Sequence, residues 1–353
     1  MKVLFAGLGA VGQRHLRNIY QLLGGEIDVI AWRVRKSNEV ITDTLEIEHG
    51  SDLNTRYPFR TVATLQDGLA EQPAITFVCN PSRFHVSVAL AAVKAGSHVF
   101  IEKPLSDNID DVEGLILEAE NRNCVGYVGY QLRFHPAIRT LEHLLACGAV
   151  GRVLAVLAQV GEYLPNFHRY EDYRQMYASR RDLGGGVILS QIHEPDYLMH
   201  LFGMPRRLFA LGGHLSDLEV DVEDVAALLM DCGTPDRPFP VSLQMDFLQN
   251  PPTRMCQVVG DRGKIMMNLT APSLVHYGPD GAEVARYDWH PFSRNQLFLD
   301  ELRHFLAACR GEEAAKCPLT VGLRSLRIAL AARRSLETGT ITEIAPWQHD
   351  RKS

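Results

Sequence analysis

A short apolar run, Val3-Leu4-Phe5-Ala6, is followed at once by Gly7-Leu8-Gly9-Ala10-Val11-Gly12. A GxGxxG directly after a strand and at the start of a helix is the opening of a doubly wound dinucleotide-binding sheet. The first glycine permits the tight turn, the second lets a pyrophosphate approach the backbone, and the third lets the helix pack on the strand. Helix N–H groups then face the phosphates. Gly7, Gly9, Ala10, Val11 and Gly12 are therefore candidate cofactor contacts, set against the plainer reading of a tight turn. The same opening has the length of a signal-peptide core, but the glycine spacing and the polar helix behind it favour the phosphate loop.

The first 125 or so residues continue the alternation of buried strands and amphipathic helices that a parallel sheet requires. Leu16, Ile19, Tyr20 and Leu23 form one helical stripe, which Gly24-Gly25 stops. Ile27 to Trp32, Ile75 to Cys79 and Val99 to Ile101 read as further strands. Ala89 to Lys94, with Gly96 behind it, reads as a capped helix end, and Ile109, Val112, Ile116 and Ala119 mark another helix. Beyond Tyr130 the pattern changes. A helix opens at Pro136 and closes before Gly148. Strands then dominate, near 153–160, 206–211, 224–231, 255–260 and 264–268. In the run from Val241, Leu243, Met245 and Phe247 alternate with Ser242, Gln244, Asp246 and Leu248, as in a strand with one packed and one wetter face. Two helices, about 295–310 and 319–337, close the chain. The expected architecture is α/β: an N-terminal Rossmann domain over 1–125, then an α+β domain over 126–353 with a large open antiparallel sheet.

At 353 residues the chain is long enough for two cores. A net charge of -6 offers no basic field for a polyanion, so nucleic acid is not the expected partner. No segment approaches the roughly 20 apolar residues of a membrane span. The seven cysteines lie far apart without a CxxC pair, which indicates neither a disulfide framework nor a metal site. The expected setting is a reducing cytoplasm, and the expected partner is a small molecule.

An NAD-preferring dehydrogenase places an acidic residue at the end of its second strand to bind ribose hydroxyls. Here that place holds Trp32-Arg33-Val34-Arg35-Lys36, and Asp28 lies too early to substitute. Arg33 and Arg35 can bind a 2′-phosphate and stack on adenine, which favours NADP over NAD, or they are an exposed surface cluster. Asn80-Pro81-Ser82-Arg83-Phe84-His85 follows the fourth strand, and Glu102-Lys103-Pro104 ends the fifth, both at the carboxyl edge where such sheets bind ligands. The first is equally a helix-entry turn and the second a solvated strand end. The polar aromatic stretch from Glu162 to Arg174, with Tyr163 and His168, reads either as a substrate-lining segment or as an Ω-loop. Arg133 and His135 are weaker candidates of the same kind.

Gly7/Gly9/Gly12, Asn80-Pro81 with His85, Glu102-Lys103-Pro104, and Gly184-Gly185-Gly186 with His193 and Asp196 together resemble the glucose-fructose oxidoreductase and inositol dehydrogenase (Gfo/Idh/MocA) family. The resemblance spans nearly the whole chain. It implies a pyridine-nucleotide enzyme for sugars, sugar derivatives, nucleotide sugars or cyclitols, with Lys103 as the active-site lysine and His193 as the catalytic histidine. Asp196, one turn after His193, falls to substrate binding. Asn80, Pro81, His85, Glu102, Lys103 and Gln131 fall to the cofactor. Two departures stand out: many relatives have an aspartate three or four residues before that histidine, where this chain has Ser190 and Leu189, and Gln131 stands where asparagine is frequent. The missing carboxylate keeps open a second reading, a cofactor-binding regulatory or scaffolding protein without catalysis. The outward face of the Val241 strand, which carries Leu248, implies a homo-oligomer, and the resemblance points to a dimer or tetramer.

Overall fold

The computed structural model describes residues 1–35 and 37–345. They form two compact units, each discontinuous in sequence. The first holds Met1–Gln131, His168–Gly185 and Ser293–Leu326; the second holds Leu132–Phe167, Gly186–Phe292 and the chain from Arg327 onward. The first unit thus takes in all of 1–125 and adds two distant segments that no hydrophobic period links to it.

In the first unit the strands are β1 (Lys2–Ala6), β2 (Asp28–Trp32), β3 (Glu39–Ile41), β4 (Ile47–Asp52), β5 (Arg60–Val62), β6 (Ile75–Val78), β7 (His98–Ile101) and β8 (Gly126–Val128). Its first helices are α1 (Ala10–Leu23), α2 (Leu53–Arg56), α3 (Leu65–Ala70), α4 (His85–Lys94) and α5 (Val112–Asn121). The main sheet is all parallel in the order β5-β2-β1-β6-β7-β8, and β3-β4 is a separate hairpin. Strand order reverses between β1 and β6, so their carboxyl ends flank the crevice where a doubly wound sheet takes its ligand. The helix expected from Ile109 begins instead at Val112, and Ile109 is exposed outside it.

The core of this unit is aromatic. Phe5, Phe77, Phe100 and Tyr127 lie in one register row across β1, β6, β7 and β8. Neighbouring rings are stacked or tilted at 4.6, 5.4 and 5.7 Å between centroids. Phe305 covers the row edge-on, 5.3 Å from Phe100. Offset and edge-to-face rings of this kind add about 0.5–1.5 kcal/mol per pair beyond their burial.

The second unit contains α6 (Pro136–Ala146), β9 (Val153–Gly161), α7 (Val187–Ser190) and α8 (His193–Phe202). Its remaining strands are β10 (Arg207–Gly213), β11 (Val225–Thr234), β12 (Arg237–Asp246), β13 (Thr253–Gly260), β14 (Gly263–Asn268), β15 (Ser273–Tyr277), β16 (Glu283–Asp288) and β17 (Thr342–Glu343). The closing helices α9 (Arg294–Cys309), which belongs to the first unit, and α10 (Leu319–Thr338), whose residues up to Leu326 do as well, match the two expected ones. The nine-stranded sheet runs β16-β15-β14-β13-β9-β12-β11-β10-β17. It is antiparallel except where β12 pairs with β9 in parallel, so the sheet is mixed. Alternation along β12 is as expected: Val241, Leu243, Met245 and Phe247 are buried while Ser242 and Gln244 are half-buried. Asp246 departs from it, because its carboxylate takes the Leu248 N–H and the Gln249 amide and is buried in doing so. The strands β15 and β16 escaped the sequence pattern. The outer one, Glu-Val-Ala-Arg-Tyr-Asp, is a mostly exposed edge without an apolar run.

Candidate active site

The geometry around the first glycines follows from steric demand. Gly7 has φ +101, and a Cβ there would lie 2.9 Å from the Cys79 carbonyl oxygen. A Cβ on Gly12 would lie 2.4 Å from the Gly7 carbonyl oxygen, whereas Gly9 faces open space. Two glycines let α1 and β6 close on the turn, and the third leaves room for a ligand. No side chain caps the start of α1 and its first turn holds no acid, so the N–H groups there are available to an anion. Gln13 braces the loop by donating to the Leu8 and Glu39 carbonyls and accepting from the Ile41 N–H. These residues fit a dinucleotide pyrophosphate.

At the end of β2, Arg33 donates to the Ser37 carbonyl (3.1 Å) and the Asn38 side chain (3.2 Å), with its guanidinium 5.2 Å from the Phe59 ring centre. Burial lowers its pKa. Arg35 reaches Glu171 at 3.3 Å, and Lys36 lies outside the described residues. His168 donates toward the same Glu171 carboxylate at 2.8 Å, which places it in the first unit beside Arg35.

The ends of β6 and β7 carry the next candidates. The buried His85 ring bridges the Asn80 and Pro104 carbonyls, each at 2.7 Å, and so ties the Asn80-Pro81 turn to the Lys103-Pro104 turn. The Lys103-Pro104 bond is cis. Glu102 accepts from His15 at 2.6 Å and from the Lys103 backbone N–H at 3.2 Å. Burial opposes its ionisation, but the His15 hydrogen bond and the electrostatic pull of its basic neighbours His15, Lys103 and His85 outweigh it and hold the carboxyl below the ordinary value. His15 was missed in the sequence, where it is one more residue of an amphipathic helix; its partner lies 87 positions away. Gln131, buried, ends the first unit.

In the second unit His193 is buried and begins α8. Asp196, one turn on, accepts two hydrogen bonds from Arg133 at 2.9 and 2.8 Å, with side chains 1% and 8% exposed. The sequence assigns both to substrate; the structure sets them against each other. His135 caps α6, its Nδ1 accepting from the Ala137 N–H, and burial followed by the Arg254 charge pushes its pKa down to about 4. Tyr163 continues from β9, its N–H bonded to the Gln249 carbonyl. Glu194, fully buried, pairs with Arg254 at 2.7 Å, a partnership with no signal in sequence. Gly186 has φ +104, and a Cβ there would fall 2.3 Å from the Glu223 carboxylate, which itself pairs with Arg333 at 3.0 Å. The last glycine of the run is thus a close-approach point ahead of α7. Leu189 and Ser190 are buried within α7. Among the described residues no group of three or more His, Cys, Asp or Glu is placed to hold a metal, and no helix is long and apolar enough to cross a membrane.

Comparison with known proteins agrees with this construction. Residues 1–130 match the model "Oxidoreductase family, NAD-binding Rossmann fold", and residues 138–266 match "GFO/IDH/MocA C-terminal domain". The chain belongs to the Gfo/Idh/MocA oxidoreductase family. It is 24% identical over 353 aligned residues to myo-inositol 2-dehydrogenase of Thermotoga maritima, with 96% of each chain covered. Its fold is similar to that of the WlbA dehydrogenase of Bordetella pertussis, solved with NADH and UDP-GlcNAcA (TM-score 0.78, 18% identity, 98% and 99% covered). It is also similar to UDP-N-acetylglucosamine 3-dehydrogenase GnnA of Acidithiobacillus ferrooxidans (TM-score 0.74, 21% identity, 96% and 98% covered).

Proposed function

We propose that this family member is a nicotinamide-dependent dehydrogenase or reductase. It transfers a hydride between NADP or NAD and a hydroxyl or keto carbon of a sugar, sugar derivative, nucleotide sugar or cyclitol. The observation that carries the reading is the carboxyl edge of the parallel sheet. The Gly7/Gly9/Gly12 cradle opens there from β1, and Lys103 stands at the end of β7 on that same edge. The bound nicotinamide supplies the hydride acceptor or donor. The chain supplies the proton chemistry, assigned to Lys103 and His193, while Asn80, Pro81, His85, Glu102 and Gln131 shape the cofactor site. The Thermotoga relative supports a cyclitol or sugar, and the two solved structures support a nucleotide sugar. Mixing the protein with each nicotinamide and a panel of cyclitols, sugars and nucleotide sugars, and following nicotinamide absorbance in a single turnover, tests it. Absence of any change would return the chain to a non-catalytic, cofactor-binding role.

NADP is the favoured cofactor on this reading. Among the described residues Arg33 donates to neutral acceptors, the Ser37 carbonyl and the Asn38 side chain, with the Asp52 charge nearby, and its guanidinium suits a 2′-phosphate. Arg33→Ala should cost NADP binding about 1.5–3 kcal/mol, the range for a hydrogen bond to a charged group, while NAD binding barely changes. Calorimetry that finds both cofactors weakened alike overturns this preference.

The assembly we infer is a homo-oligomer built through the nine-stranded sheet. Leu157 and Leu229, 49% and 52% exposed, flank Ser242 in one register row on the face away from the buried Val156 and Leu228, and Leu211 is 62% exposed. Exposed leucines gathered on one sheet face are the kind of surface that serves as an interaction face. Light scattering is expected to give a multiple of the 39.5 kDa chain mass, and a monomer at all working concentrations removes the proposal.

A further inference from the structure

The end of β2 lacks the acidic residue that discriminates for NAD, yet an acid arrives there from elsewhere in the chain. The segment His168–Gly185 packs into the first unit. One end is held at the Asn80 turn, where the Ser82 hydroxyl donates to the Leu183 and Gly184 carbonyls and a Cβ on Gly184 would lie 2.7 Å from that hydroxyl. The other end reaches the end of β2. There Glu171 places one carboxylate oxygen 2.8 Å from His168 and the other 3.3 Å from Arg35, while Arg35 also donates to the Gln175 carbonyl. The His168 ring is in turn stacked on Tyr170 at 5.3 Å.

We propose that Glu171 is a specificity-determining residue, the carboxylate that β2 itself does not supply, and that by occupying Arg35 it lowers affinity for a 2′-phosphorylated dinucleotide relative to a 2′-hydroxyl one. The inference rests on the nicotinamide reading above. Two charges decide the competition. A 2′-phosphate must draw Arg35 away from Glu171 and then sit near a second anion, whereas ribose hydroxyls leave the ion pair intact and can donate to the carboxylate. Glu171 is ionised for this role. Burial pushes its carboxyl up, but His168 and Arg35 outweigh burial and hold it below the ordinary value. Arg33, tied to neutral acceptors, continues to favour the phosphate, so the two arginines act in opposite circumstances at one end of one strand. Because Arg35 is 72% exposed, solvent screens the pair and the effect is modest.

Calorimetry on the full chain provides the test, with NADP, NAD, adenosine 2′,5′-bisphosphate and 5′-AMP as separate probes. Glu171→Gln should tighten NADP and the bisphosphate by about three- to tenfold, the scale for one screened charge, and leave NAD and AMP within about twofold. Glu171→Asp, which keeps the charge, should stay near the parental ratio. In an Arg35→Ala background the gain from Glu171→Gln should vanish. Equal shifts for both cofactor classes, no shift, or a gain that survives without Arg35 each overturn the inference while leaving the nicotinamide reading intact. A parental protein that binds none of the four probes overturns both.

Discussion

His193→Ala should lower turnover by about 10²- to 10⁴-fold with cofactor affinity nearly unchanged, the range for losing a general acid or base. The expectation begins from proton balance. Oxidation of a carbinol sends a hydride to the nicotinamide and a proton to the protein, so a base is needed beside the carbinol oxygen. Histidine is the residue type that takes and returns a proton near neutrality. The fold keeps His193 at the first position of α8, buried, with the ion pairs of Glu194 and Asp196 anchoring the helix turn that follows. Such anchoring fixes the point from which the imidazole projects. On the proposed assignment Lys103 would take the complementary task of stabilising developing negative charge on oxygen through its ammonium. Lys103→Met should depress turnover too, and should also disturb cofactor binding because it removes one of the positive charges that hold the buried Glu102 carboxyl below its ordinary value. Stopped-flow hydride transfer at pH values from about 6 to 9 is the measurement. A folded His193→Ala protein that kept the parental rate throughout would remove the proton-transfer role.

How much of this was legible beforehand depends on the range of each interaction. Gly12 meets the Gly7 carbonyl five positions away, so spacing displays that geometry, whereas the Cys79 carbonyl that limits Gly7 comes from a distant strand end. The buried strands of the first sheet likewise announce themselves as apolar runs. The parallel pairing of β9 with β12 does not, because an alternating strand reads the same in either direction and register is set by neighbours far away in sequence. Nor does the capture of His168–Gly185 by the first unit, since Ser82, Gly184, Glu171 and Arg35 hold it by polar contacts that leave no hydrophobic period. Candidate site residues follow the same rule. Asp196 falls to substrate through the family resemblance and Arg133 through its place just past a strand, and only coordinates reveal that each is the other's partner across 63 positions.

Breaking that pair should be among the most destabilising single changes in the chain. Arg133→Ala leaves the Asp196 carboxylate, 1% exposed, without its counter-charge, and losing one partner of a buried pair costs about 3–5 kcal/mol. The pH dependence follows from direction. Burial pushes the Asp196 carboxyl above its ordinary value, and Arg133 pulls against that. An acid whose pKa is raised on folding holds its proton more tightly in the native state, so the stability this provides is present at low pH and declines as pH rises through the folded value. Removing Arg133 takes away the downward pull and carries that decline to higher pH. The damage from Arg133→Ala should therefore be largest near neutrality and shrink on acidification, as Asp196 becomes neutral. Replacing both residues with apolar ones of similar volume, Arg133→Met with Asp196→Leu, should recover much of the loss, since a buried ion pair and a packed apolar pair are often close in stability. Urea unfolding of the parental, single and double variants at two pH values measures all of this. If Arg133→Ala instead unfolded like the parent at both and only raised KM, the two side chains would be substrate contacts rather than a structural pair.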